Sequence, residues 1–325
     1  MKLSVSQDTF AMDGTFTISR GSRTEAHVVT VSLEKDGVVG MGECVPYARY
    51  GESLDTVCEQ IQSLTDALAQ GMDRVELQTA LAPGAARNAV DCAFWDLEAK
   101  LAGKPAWQLA GLNSLSSVVT AYTLSLDTPE KMQQAAIENA SRPLLKIKLG
   151  GEGDLERLRA VRTGAPKSRL IVDANEGWSA ADYDALAPVM LELGVDLVEQ
   201  PLPASDDAAL EGRARPLPVC ADEACHDRDS LAHLKGKYDV INIKLDKTGG
   251  LTEALALKKA AIEQGFSIMV GCMVGSSLAM APALLLAQDV GFVDLDGPLL
   301  LAEDRDAPIE FKGSDMYPAP PALWG

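Results

Sequence analysis

The sequence predicts an α/β chain, a closed TIM-like (β/α) barrel preceded by an α+β unit. Two observations carry this. From Val118 onward eight short apolar runs alternate with helical stretches, which is the pattern of βα units on a parallel sheet. Eight such units over about 180 residues are the content of a closed barrel. Before them, residues 1–49 alternate polar and apolar positions, and helical spacing follows to about residue 115. At 325 residues the chain exceeds one small core.

The elements follow in order. Residues 15–19 read as a strand end, and 26–33 and 37–43 as strands joined by a hairpin turn at Glu34-Lys35-Asp36-Gly37. Arg20-Gly21-Ser22-Arg23-Thr24 reads as a polar loop with two arginines. A helix is expected over 53–71, where Val57, Ile61, Leu64 and Leu68 recur at helical spacing, and a second over 85–101, stopped by Gly103-Lys104-Pro105. A short helical piece at 105–109 completes a first unit of residues 1–115.

The barrel is expected over 116–298. Its strands are 119–124, 144–149, 170–174, 197–200, 219–221, 240–245, 268–273 and 292–295, with helical patterns such as 154–163 and 179–193 between them. Residues 265–288 carry no charge, yet Gly271, Gly275-Ser276-Ser277 and Pro282 break the run, so strand, loop and buried helix explain it better than a membrane span. Residues 299–325 form a proline-rich tail in which Trp324 is expected to pack back on the first unit.

Composition narrows the partners. With 29 basic and 47 acidic residues the net charge is −18, which argues against nucleic acid and anionic membrane, since both need a basic face. The first ten residues lack a basic-then-apolar signal design. The six cysteines are scattered without a Cys-x-x-Cys pair, and read as reduced thiols of a cytoplasmic protein. Oligomeric state stays open, a homo-oligomer included.

Chemistry concentrates at the C-terminal ends of the expected barrel strands, where barrel active sites form. Lys146 and Lys148 lie two apart on one strand, so both leave by the same face. Two like charges on an apolar strand need an anionic partner or a function. Lys148, Asp173, Glu199, Asp222 and Lys244 follow one another at intervals of 25, 26, 23 and 22 residues, about one βα unit each time. Three convergent carboxylates repel one another unless a cation lies among them, and oxygen-only ligands suit Mg²⁺. Lysines flank the acidic strands on both sides. A neighbouring lysine and a divalent cation would disfavour the ammonium form, making Lys148 and Lys244 candidate general bases and Lys146 a tuner. That set suits removal of a proton α to a metal-bound carboxylate through an enediolate, with one lysine removing the proton and the other returning it on the opposite face.

On Lys146-Ile147-Lys148, Asp173-Ala174-Asn175, Glu199-Gln200-Pro201, Ala221-Asp222-Glu223 and Asn242-Ile243-Lys244-x-x-Lys247-x-Gly249-Gly250, the chain resembles the enolase superfamily in its muconate-lactonizing subgroup over essentially its whole length. The resemblance implies an N-terminal capping domain on a (β/α)7β barrel, one Mg²⁺ on Asp173, Glu199 and Asp222, and Lys148 and Lys244 as the acid/base pair. Asp294-Leu295-Asp296-Gly297-Pro298 makes the chain most similar to the dipeptide epimerases of that subgroup. The acidic pair would take the substrate ammonium, and Arg20 or Arg23 the side-chain carboxylate of a substrate such as L-Ala-D-Glu. The resulting expectation is an Mg²⁺-dependent isomerase acting on a dipeptide of cell-wall peptide recycling.

Other readings are an o-succinylbenzoate synthase, an N-succinylamino acid racemase or a cycloisomerase, whose substrates lack the ammonium that Asp294 and Asp296 would serve. No histidine follows His233, so the late barrel strands offer no histidine base of the kind many acid-sugar dehydratases use. A Schiff-base aldolase would use one lysine and leave the three carboxylates idle. A non-catalytic binding barrel would exchange no substrate proton.

Overall fold

An antiparallel sheet opens the chain in the computed structural model, which describes all residues 1–325. It holds β1 (Lys2–Ile18), β2 (Gly21–Lys35) and β3 (Val38–Cys44) in that order. Asp36 and Gly37 both take positive φ in the β2–β3 turn, the geometry that matches strand twist in a two-residue hairpin. The expected polar loop at 20–24 is instead the tip of the β1–β2 hairpin. Ile18 pairs with Gly21 and Phe16 with Arg23, leaving only Ser19 and Arg20 in the turn. Gly21 takes a φ of 135°, which a residue with a side chain rarely adopts. The strand end at 15–19 is the last part of a seventeen-residue strand whose register slips between Ala11 and Phe16.

Helices α1 (Leu54–Gln62), α2 (Thr65–Ala69), α3 (Arg74–Ala80) and α4 (Ala85–Ala102) pack on this sheet, followed by α5 (Ala106–Leu109). The expected helix 53–71 is two, interrupted at Ser63-Leu64. Helix α3 lacked a clear periodic signal in its seven residues, and its capping box, Asp73 with Glu76, marks its start. Helix α4 is buried on nearly every face because it lies between the sheet and the barrel.

The barrel comprises β5 (Tyr122–Leu124), β6 (Leu144–Lys148), β7 (Arg169–Asp173), β8 (Val195–Glu199), β9 (Val219–Ala221), β10 (Val240–Ile243), β11 (Ser267–Gly271) and β12 (Phe292–Asp294), after a short β4 (Val118–Val119). The expected strand 119–124 is thus divided at Thr120-Ala121. All eight barrel strands are parallel and hydrogen-bonded in sequence order. Helices α6 (Pro129–Glu138), α7 (Asp154–Gly164), α8 (Ala180–Glu192), α9 (Leu231–Leu234), α10 (Leu245–Thr248), α11 (Leu251–Glu263) and α12 (Ser277–Leu286) lie between them. The uncharged stretch 265–288 is β11, a loop and α12, and no helix is long and apolar enough to cross a membrane.

The ladder is continuous from β5 to β12 and is stitched shut between those two by different means. Ala121 N donates to Val293 O at 2.8 Å, Leu295 N to Thr120 Oγ1 at 2.8 Å, and Thr123 N to the Asp296 carboxylate at 2.6 Å. Inside, Leu144, Ile171, Leu197, Cys220, Val240 and Met269 form an apolar floor, one from each of β6 to β11. Residues two positions on, along the same inward face, are Lys146, Asp173, Glu199, Asp222, Asn242 and Gly271. Leu145, Ile147, Val172, Val198, Ile241 and Val270 point outward into the core shared with the helices. Strands β13 (Phe311–Lys312) and β14 (Asp315–Met316) extend β4 into a small sheet. The tail then returns to α4, where Trp324 Nε1 donates to Cys92 O at 3.0 Å. No disulfide links the six cysteines.

Candidate active site

Register places the central groups before any side chain is considered. Lys148 pairs with Asp173, and Asp173 with Glu199, so these three share one level of the barrel. Glu199 pairs with Cys220, and Asp222 follows two residues later on the same inward face. The ligand oxygens of Asp173, Glu199 and Asp222 lie within 4.8 Å of one another, all buried.

The two lysines of β6 are tied to these acids. Lys146 Nζ lies 2.6 Å from Glu199 Oε2, 2.7 Å from Asp294 Oδ2 and 3.1 Å from Asp173 Oδ2. Lys148 Nζ donates to Asp173 Oδ2 at 2.6 Å. Across the acidic arc, Lys244 Nζ donates to Asp222 Oδ2 at 2.7 Å, while Lys247 Nζ takes Asp222 Oδ1 at 2.6 Å. Asn242 Nδ2 donates to Glu199 Oε1 at 2.6 Å. The puzzle of two like charges on a buried strand is answered by anions from β7, β8 and β12.

The protein's own charges favour the ammonium form of Lys146 and Lys244. Burial lowers the Lys146 ammonium, but Asp294, Glu199 and Asp173 outweigh it and hold the group well above the usual lysine range. Lys244 behaves alike, with Asp222 overcoming burial. Opposite charges dominate because each ammonium touches a carboxylate more closely than it approaches another cation. Burial raises Asp222, but Lys244 and Lys247 bring it well below the carboxylate range. Glu199 goes the other way, pushed up to about 7 by burial and then by the charge of Asp173.

The donor set fits a hard divalent cation. Three buried carboxylates converge with their oxygens within 4.8 Å of one another, an all-oxygen donor set. Oxygen-only sites of this kind suit Mg²⁺, which needs few protein carboxylates when substrate oxygens complete its shell.

The remaining predicted residues divide. Asp294 and Asp296 are both buried at the end of β12. Asp294 faces Lys146 through one oxygen, and its Oδ1 has no donor. Asp296 is pushed up to about 7 by burial and by Asp294 beside it. Both arginines line the same cavity, with Lys148, Asp222 and Lys244 on its floor. Arg20 is fully engaged: Nη2 reaches Glu223 Oε1 at 2.7 Å and Tyr47 OH at 3.0 Å, and Nη1 reaches Asn175 O at 2.9 Å. Arg23 is held in the β1–β2 ladder by its backbone, but its guanidinium has no hydrogen bond or ion pair with the protein and is the free cation of the cavity.

Several groups were not singled out one by one in the sequence, although 46–52 resembles a capping segment of the dipeptide epimerases that could close over the barrel. Glu176, at a left-handed φ of 65°, accepts both Arg49 nitrogens at 2.9 Å and Ala204 N at 2.8 Å, holding the 47–50 segment down on the barrel. Tyr47 and Tyr50 line the cavity from that segment. Lys247 stood in the glycine-ended motif, and its spacing three residues after Lys244 was the only signal for a second cation on Asp222.

With this geometry in hand, two family models match the chain. Residues 1–111 match the mandelate racemase / muconate lactonizing enzyme N-terminal domain, and residues 130–306 the enolase C-terminal domain-like family. The chain belongs to the enolase superfamily. Among superfamily relatives, an L-Ala-D/L-Glu epimerase of Escherichia coli K12 is 49% identical over 96% of this chain and 98% of its own length. An N-acetyl-D-glutamate racemase of a Pseudoalteromonas species is 47% identical over 92% of this chain and 95% of its own. A crystal structure of an enolase family member from Agrobacterium tumefaciens, with homology to dipeptide epimerases and with bound sodium and L-Ala-L-Glu, superposes with a TM-score of 0.98 at 54% identity, covering 99% of both chains. A dipeptide epimerase of Enterococcus faecalis V583, complexed with Mg and L-Leu-L-Tyr, superposes with a TM-score of 0.91 at 29% identity, covering 98% of this chain and 96% of that one.

Proposed function

We propose that this protein is an Mg²⁺-dependent dipeptide epimerase that interconverts L-Ala-D-Glu and L-Ala-L-Glu by a two-base 1,1-proton transfer. The observation that carries the proposal is the placement of Lys148 and Lys244 on opposite sides of the Asp173, Glu199 and Asp222 arc. A substrate α-carbon above that arc has one lysine on each face, so abstraction by one and return by the other inverts it.

Asp173, Glu199 and Asp222 would hold Mg²⁺, which supplies stabilisation of the negative charge that grows on the substrate carboxylate as the α-proton leaves. Lys146 holds the inner carboxylates in place. Asp294 and Asp296 face the substrate ammonium, for which the donorless Asp294 Oδ1 is an acceptor. Arg23, free of protein partners, takes the glutamate side-chain carboxylate, while Arg20 fastens the hairpin tip to the barrel. In this reading residues 1–115 cap a barrel of 116–298, and 299–325 return to the cap. The reaction fits cytoplasmic recycling of cell-wall peptides.

Incubation of L-Ala-D-Glu with the protein and Mg²⁺ in D₂O should place deuterium at the glutamate α-carbon and yield both diastereomers. No exchange at that carbon refutes the proposal. A second reading, racemisation of N-acylated glutamate, is favoured by the Pseudoalteromonas relative and by Asp296. Its carboxyl, pushed up to about 7, can donate to an acyl carbonyl when protonated. N-acetylglutamate in the same assay separates the two by relative rate.

A further inference from the structure

The segment 272–275, between the end of β11 and α12, lines the cavity with Cys272, Met273 and Val274. It lies between Lys244, just beyond β10, and the pair formed by Asp294 at the end of β12 and Asp296 just beyond it. Yet residues 273–275 make no main-chain hydrogen bond outside the regular elements. Such a segment takes its position from its two ends and its packing.

One end is the β11 ladder. The other is Ser276, and it is held from far away in sequence. Glu43, at the end of β3, accepts Ser276 N at 2.8 Å on Oε1 and Ser276 Oγ on Oε2. Arg305, in the tail, lies 2.7 Å from Glu43 Oε2, donates to Ser276 Oγ at 2.7 Å, and reaches Thr30 Oγ1 at 2.6 Å and Asp8 Oδ2 at 3.1 Å. Glu43 is fully buried, so Arg305 is the charge that balances it. The approach is close enough that a Cβ on Gly275 would stand 3.0 Å from Glu43 Oε1. Met273 packs between Val28 and Val45 of the capping sheet.

We propose that Glu43 and Arg305 are positioning residues that fix the wall 272–275, and that through it they set which N-terminal residue of the dipeptide the site accepts. The second half rests on the dipeptide reading above. A substrate whose ammonium meets Asp294 and Asp296 and whose α-proton meets Lys244 lays its N-terminal residue along this wall. Neither Glu43 nor Arg305 lines the cavity itself, so the effect is on shape and not on chemistry.

The test compares L-Ala-D-Glu with L-Leu-D-Glu in the wild type, Glu43→Gln, Arg305→Ala and Arg305→Lys. Arg305→Ala should raise KM for L-Ala-D-Glu about tenfold with kcat within about threefold, and narrow the preference for alanine over leucine by about fivefold. Glu43→Gln keeps an acceptor for Ser276 N and should show a smaller change of the same kind. Arg305→Lys, retaining the charge, should recover at least part of the preference. An unchanged alanine-to-leucine ratio, with kcat and KM altered only in step with the folded fraction, overturns the proposal. So does an Arg305→Lys variant no better than Arg305→Ala. Hydrogen exchange needs no substrate and keeps the clamp testable if the wild type turns over no dipeptide. Arg305→Ala should speed exchange at the Ser276 amide, which donates to Glu43, and spare β6 to β8, whereas uniform acceleration overturns the clamp.

Discussion

Two sides of the barrel mouth are built on different principles. From β6 to β10 every group proposed to react or to face the metal projects from a strand end or its next residue, and each is buried and paired with a group from another barrel strand or the turn that follows it. On the other side, the cavity is closed by a hairpin tip, Tyr47 and Tyr50, and residues 272–274. The first side is fixed by ladder geometry, the second by long-range contacts such as Arg20 with Glu223 and Glu176 with Arg49. On the proposed function, proton transfer belongs to the ladder-built side and substrate choice to the assembled side.

That division can be broken most severely at the lysines. Lys148→Ala and Lys244→Ala should each abolish epimerisation, a loss of about 10²–10⁴-fold or more, while leaving exchange of the α-proton of one stereoisomer in D₂O. Two-sided exchange in either variant would remove the two-base scheme. The next effect belongs to Asp296. Asp296→Asn keeps an acceptor for Thr123 N, so the barrel closure survives, but it cannot ionise. It should raise KM for L-Ala-D-Glu by about tenfold or more and affect N-acetylglutamate far less. Because burial and Asp294 hold this carboxyl up to about 7, it gains charge as pH rises through that value. In the wild type, KM for the dipeptide should therefore fall as pH rises through about 7, and this dependence should vanish in Asp296→Asn; initial-rate pH profiles with both substrates decide it. Equal pH dependence in the two enzymes would take Asp296 out of the ammonium site. The smallest expected effect sharpens the assembled side. Arg23→Ala should raise KM for L-Ala-D-Glu about tenfold and leave dipeptides with an uncharged C-terminal side chain nearly unaffected. Arg20→Ala should weaken all dipeptides alike, since it releases the hairpin tip; the reverse pattern would exchange their roles.

The same division explains what the sequence discloses. Lys146, Lys148, Asp173, Glu199, Asp222 and Lys244 were legible because strand period two and a repeat of one βα unit convert position in sequence into position in space. The barrel itself was legible for the same reason, apart from strand ends that shift by one to three residues. Arg20 and Arg23 could not be told apart, because the choice depends on where the hairpin turns. Reading 20–24 as a loop hid the pairing of Phe16 with Arg23. Glu43 and Arg305 lie 262 residues apart, and no local pattern links them. The acids that surround Lys146 come from three other strands, and no pattern within β6 announces them.

The seam between β5 and β12 has a consequence for how such a protein changes over generations. One of its three stitches ends on Asp296, the carboxylate proposed to face the substrate ammonium, and the strands it joins have three residues each. Replacements there disturb a short, locally fastened edge, while the lysines and acids stay anchored in a ladder running the other way around the barrel. Selectivity can thus drift by substitution at the seam, and the proton-transfer apparatus is inherited intact.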